Sequence, residues 1–230
     1  MEAISIDNIL ISLQRLMPND GHNLRYAKSI DYILRYCHDC KTAVEIGYPT
    51  TFTKVLKQYM PHVEVFHIKG DVRKPLQTVP ENLKGNVDLI IFMEVMEHLA
   101  DLDSNDIEIV STYTGSGIKG FFDNARTLLK RTGKVFLTTP NVISYKNIFN
   151  LMYGAHPYFY ALHTRELSPV NVKNYIENNG FEITVLATET VWNNHGLPHH
   201  IIESIQKCMQ ENKCSTKDRG DDIFAIATLP

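Results

Sequence analysis

The sequence predicts an α/β fold built on an open, mostly parallel sheet, and two features of the chain carry that expectation. Short apolar runs long enough for buried strands, "TAVEI", "VEVFHI", "VDLIIFM" and "GKVFLTT", recur along the chain. Between them lie stretches with apolar residues at three- and four-residue spacing, the signature of amphipathic helices. With 230 residues, 43% of them apolar and 21% charged, the chain suits one domain spanning 1–230 rather than two.

The elements follow in order. "EAISIDNILISLQRLM" and "NLRYAKSIDYILRYC" carry helical periodicity, so two helices within 1–40 precede the first strand. The strand "TAVEI" ends at Gly47 and leads into a helix over "TTFTKVLKQYM" that stops at Pro61. "VEVFHI" and "VDLIIFM" are the next strands. The polar stretch over 100–117 reads as an insertion, after which "IKGFFDNARTLLK" is a helix and "GKVFLTT" a strand closed by Pro140. "FEITVLAT" and "DIFAIATL" end the chain as a strand pair, separated by a second insertion over 191–221.

Bulk charge narrows the partners. A formal charge of −3 gives no general attraction for nucleic acid or anionic membrane, and no basic cluster compensates. No apolar run approaches the roughly 20 residues of a membrane span, and the acidic N-terminus is unlike a secretory signal, so the expected location is cytoplasmic. Cys37, Cys40, Cys208 and Cys214 form two close pairs that would make a zinc site only if the fold joined them; reduced thiols are the plainer reading.

In open α/β sheets ligands bind beyond the carboxyl ends of the strands. Those ends are Glu45–Thr51, His67–Asp71, Glu94–His98 and Thr138–Asn141. The third is unusual, because an apolar run ends in "MEVMEH". If a helix starts there, Glu94, Glu97 and His98 share one face at i, i+3 and i+4. Two carboxylates so placed repel unless a proton or cation lies between them, and an added imidazole suits a divalent metal. In the plainer alternative Glu94 touches a ligand, Glu97 bridges locally and His98 packs.

Taken together, "AVEIG", "VDLIIFMEVMEHL", "NARTLLKRTGKVFLTTPN" and "ELSPVNVKNYIENNGFEI" resemble the class I S-adenosylmethionine-dependent methyltransferases, in the branch with E-x-x-E-H after the fourth strand. The resemblance runs from about Thr42 to Ile183. It implies a Rossmann-like, seven-stranded, mostly parallel sheet with a reversed C-terminal hairpin and helices on both faces. It also implies S-adenosylmethionine as cofactor, with Glu45, Gly47, His67, Asp71 and Glu94 as the residues facing it. Pro49 and Thr51 stand where the family usually has glycine.

The arrangement is similar to the small-RNA 3′-end methyltransferases, and around E-x-x-E-H to the ubiquinone-pathway O-methyltransferases. The former implies a divalent metal, magnesium, manganese or iron, held by Glu94, Glu97, His98 and His163, the last in "YALHTREL". Without metal, His98 or His163 is the expected general base. The expected reaction is O-methylation of a polar small molecule such as a sugar, glycan precursor or natural product. Tyr153, His156, Tyr158, Tyr160, Trp192, His195, His199 and His200 are candidates for the acceptor pocket, which the segment around Trp192–His200 is expected to cover. A non-catalytic binding or scaffold protein of the same fold is the alternative.

Overall fold

The computed structural model describes residues 5–48, 50–76, 79–103, 115–157 and 159–230. Among them six strands form one sheet in the order β2-β1-β3-β4-β6-β5. The strands are β1 (Thr42–Ile46), β2 (Glu64–Ile68), β3 (Val87–Met93), β4 (Leu129–Pro140), β5 (Glu182–Glu189) and β6 (Asp222–Thr228). β2, β1, β3 and β4 run parallel, whereas β6 is antiparallel to both β4 and β5. The reversed hairpin is therefore present.

The seventh strand implied by the resemblance is absent among the described residues, where six are found. In the parallel order the extra strand would follow β2, but "DVRKPLQTVPENLKG" offers no apolar run and contains Pro75 and Pro80. Proline has no N–H to give to a ladder, and the described residues of that segment form no strand. The strands legible as apolar runs number six as well.

Alternation along the strands splits the core into two layers. Ile90 and Phe92 of β3, Val135 and Leu137 of β4, and Ala225 of β6 pack on one face. Leu89, Ile91, Phe136, Phe224 and Ile226 pack on the other. The period of two follows from the pleat. On the second face lie α1 (Ile6–Leu16), α2 (Asn23–Tyr36) and α3 (Thr51–Tyr59), which contribute Leu13, Ile30, Ile33, Phe52 and Leu56. On the first lie α4 (Ser116–Leu128) and α6 (Pro169–Asn178), through Ile118, Phe122, Val172 and Ile176.

Two helices were not expected from the periodicity, α5 (Tyr145–Met152) and α7 (His199–Glu211). Each buries only one residue, Asn147 and Ile205 respectively, which is why neither shows a wide apolar stripe. Most of the first expected insertion, 104–114, lies outside the described residues, as do Pro49 and Tyr158. No helix among the described residues is long and apolar enough to cross a membrane. Cys37 and Cys40 are buried and Cys208 and Cys214 exposed, all four as free thiols, and the fold does not gather them into a metal-ligand group.

Candidate functional site

At the end of β1 the chain turns through Gly47, whose φ of +119° is a conformation L side chains rarely adopt. Its N–H donates to the Ile68 carbonyl at 2.9 Å, which fixes the turn against β2. Beyond its chain neighbours, no heavy atom lies within 4 Å of where a Cβ would stand, so the glycine leaves open space over the strand end. Glu45 is buried, and its carboxylate accepts hydrogen bonds from Thr50 Oγ1 at 3.1 Å and from Thr53 Oγ1. Burial raises the Glu45 pKa, with the two hydroxyls opposing the shift.

The remaining expected cofactor residues are placed as follows. His67 Nδ1 lies 3.4 Å from Glu45 Oε2, and burial lowers the imidazole pKa. Asp71 faces Arg73 in a two-point ion pair, 2.8 Å from Nε and 2.9 Å from Nη2, which holds its carboxyl below the ordinary range. Glu94 is half-buried in a charged cluster: Thr138 Oγ1 donates to its Oε1 at 2.7 Å, and Arg25 Nη1 lies 3.1 Å from the same oxygen.

The helical face expected for Glu94, Glu97 and His98 does not form. Glu94 has φ +53°, and only a single 3-10 turn, Met96–His98, follows it. A left-handed residue cannot propagate a right-handed helix, so the chain leaves β3 through a bend instead. The three residues nevertheless line one cavity of about 470 Å³, together with His22, Arg25, Pro140, Phe159, Tyr160, His163, Trp192 and His195.

Tertiary contacts bring His163 to this bend. The Glu97 carbonyl accepts from the N–H groups of Thr164 at 2.9 Å and Arg165 at 3.1 Å, docking the loop before α6 onto the end of β3. The His98 and His163 rings then meet edge to face at 4.8 Å. Ligand atoms of Glu97, His98 and His163 all lie within 4.8 Å of one another. Glu94 falls outside that group because its carboxylate is turned to Arg25 and Thr138.

Electrostatics single out Glu97. It is fully buried, its Oε2 accepts from Thr139 Oγ1 at 2.9 Å, and its Oε1 has no hydrogen-bond partner. Desolvation drives its pKa up, and buried Asp222 nearby adds to the shift. Asp222 is raised by the same cause. His98 is held below its ordinary pKa by desolvation and by His163.

Three residues that the sequence reading missed shape this cavity. Glu166 Oε1 lies 2.7 Å from His163 Nδ1 and accepts the Phe159 N–H at 2.6 Å, while Asn147 Nδ2 donates to Oε2 at 3.3 Å. A carboxylate on one ring nitrogen fixes the tautomer and leaves the other nitrogen free. The H-x-x-E spacing was the only available signal. Arg25 and His22 come from α2 and the residue before it, and nothing local marks them, since only the docking of α2 against the strand ends brings them here.

Of the expected pocket residues, Tyr160, Trp192 and His195 line the cavity. Tyr153 is 76% exposed and does not, and His199 pairs with Glu203 on the surface of α7.

The chain matches the methyltransferase domain family over residues 20–186. No curated protein matches it. Among solved structures, a SAM-dependent methyltransferase from Archaeoglobus fulgidus superposes with a TM-score of 0.58 at 16% identity, covering 94% of this chain and 97% of that one. Human N-acetylserotonin methyltransferase, solved in complex with SAM, gives 0.55 at 10% identity over 98% of this chain and 56% of that one. The small RNA methyltransferase HEN1 gives 0.51 at 13% identity over 89% of this chain and 25% of that one. With the reversed hairpin and the strand-end cavity already in place, the match over residues 20–186 makes this chain a member of the methyltransferase domain family, in the fold of the SAM-dependent methyltransferases.

Proposed function

We propose that the protein transfers the methyl group of S-adenosylmethionine to a hydroxyl oxygen of a polar small molecule held in the 470 Å³ cavity, assisted by a divalent metal. The observation that carries this reading is the convergence of Glu97, His98 and His163 at the end of β3 inside that cavity.

The cofactor fits on one observation, the open space over Gly47 beside the buried Glu45 carboxylate. When bound, S-adenosylmethionine supplies an electrophilic sulfonium methyl. The metal fits on the donor set. Mixed carboxylate and imidazole ligands suit magnesium, manganese or iron, and the partnerless Glu97 Oε1 is a buried oxygen without a proton donor. A cation there would supply Lewis acidity that lowers the acceptor hydroxyl's pKa.

The chain's own residues do the rest. Glu166 holds the His163 ring and the aromatic walls exclude water, while His98 is the base that takes the hydroxyl proton only where it ligates no metal. Nucleic acid is a poor acceptor for a cavity on a chain of net charge −3.

A second reading, a binding or scaffold protein of the same fold, is favoured by the engagement of Glu45 with Thr50 and Thr53 and of Asp71 with Arg73. Calorimetry with S-adenosylhomocysteine separates the two: no heat at millimolar ligand removes the enzyme reading. Labelled methyl transfer should then be suppressed by chelation and restored by manganese or magnesium. Undiminished transfer in chelator would leave His98 as a metal-free base.

A further inference from the structure

Four consecutive residues after Trp192 have positive φ: Asn193 at 48°, Asn194 at 47°, His195 at 51° and Gly196 at 73°. A left-handed turn of this length is strained for L residues, and three of these four are not glycine. Such strain persists only where surrounding structure imposes it.

Here the constraint is a buried carboxylate. Asp221 has no exposed surface, and its Oδ2 accepts the Trp192 N–H at 2.9 Å and the Asn194 N–H at 3.0 Å. The turn is closed further by His195 N–H to the Trp192 carbonyl at 2.8 Å and Leu197 N–H to the Asn194 carbonyl at 3.0 Å. The result places the His195 ring at the cavity, stacked on Phe159 at 4.3 Å with 23° between planes. Phe159 is in turn pinned by its N–H to Glu166. Two buried carboxylates thus each fix one wall, and the two walls meet at the Phe159–His195 stack. The His195 ring nitrogens take no part in the hydrogen bonds that hold the turn.

We propose that the left-handed turn Asn193–Gly196 is the acceptor-recognition element, with His195 hydrogen-bonding a polar oxygen of the methyl acceptor and Asp221 as its positioning residue. The inference rests on the methyl-transfer reading for what the cavity holds. It assigns the metal-facing residues no part in recognition. A neutral imidazole offers one donor and one acceptor, which matches a hydroxyl beside the one to be methylated.

The test uses the full chain and two probes, catechol as a planar diol and methyl glucoside as a sugar. Binding is read from His195 ring-nitrogen shifts and from the fluorescence of Trp192, the single tryptophan, with and without S-adenosylhomocysteine. At least one probe should perturb the His195 ring. H195A should weaken its binding about tenfold, as expected for one lost hydrogen bond, while the S-adenosylhomocysteine affinity stays unchanged.

Asp221→Asn, which retains an accepting oxygen, should bind the probe better than Asp221→Ala. The Asn variant also guards against a simple failure to fold. Neither probe reaching His195, or H195A binding as tightly as the parent, overturns the inference. A chain that ignores S-adenosylhomocysteine but binds a probe through His195 removes the methyl-transfer reading alone.

Discussion

Glu97 carries an ionisable group into a place where ionisation is opposed. Its pKa is raised from 4.5 to about 8, so the folded state binds the proton more tightly than the unfolded chain. Without metal, stability is therefore lost progressively as pH rises from about 4.5 to about 8, because the unfolded chain releases this proton while the folded state keeps it. Glu97→Gln should be more stable than the parent at pH 8, by on the order of 4 kcal/mol, with the difference vanishing near pH 4.5. Thermal denaturation across pH reads this directly, and a constant offset at all pH values would contradict it. Added manganese should stabilise the parent and not the variant. At Gly47, φ +119° means that Gly47→Val strains the turn as well as filling open space, so S-adenosylhomocysteine binding should be lost in calorimetry.

Loops here are held by single buried side chains on neighbouring elements. Asn124 of α4 donates to the Val72 carbonyl at 2.8 Å and the Lys74 carbonyl at 2.9 Å, and accepts the Leu76 N–H at 3.2 Å. It therefore fixes the segment after β2 that carries Asp71. Asn124→Ala should cost about 2–3 kcal/mol, because three backbone groups lose their partner. A denaturant midpoint unchanged from the parent would sink that account. This staple was not legible in "NARTLLK", where an asparagine on a helix looks like a solvated position. The strands, by contrast, were legible because buried parallel strands need continuous apolar runs. The bend at Glu94 was not, because glutamate carries no mark of positive φ and a helical face was the simpler extrapolation.

For the molecule as a whole, binding of a ligand to the folded state alone should raise its stability. S-adenosylhomocysteine at a hundredfold excess over its dissociation constant should add about 2.7 kcal/mol, visible as a rise in melting temperature. Deleting Trp192–His200 removes the cavity wall carrying Trp192 and His195, and is expected to abolish turnover with the true acceptor. Retained folding and full turnover in that deletion would show that the second insertion has no role at the cavity. Both measurements address the assembled site, since its walls come from α2, the bend after β3, the loop before α6 and the turn after β5.

The sequence by itself determined the six strands, the helices beside them other than α5 and α7, and the strand ends where chemistry belongs, because hydrophobic periodicity is a local property that burial enforces. Glu97, His98 and His163 were named from the sequence through resemblance, although the helical face that spacing suggested for the first two does not form. Only the tertiary structure decided that Glu94 turns to Arg25, that Glu166 orients His163, and that Asp221 imposes a left-handed turn on His195. Each of those is a contact between residues distant in the chain or a backbone choice dictated by such a contact. Side-chain pairing of that kind follows from how packed elements meet in space, which no local pattern of residues encodes.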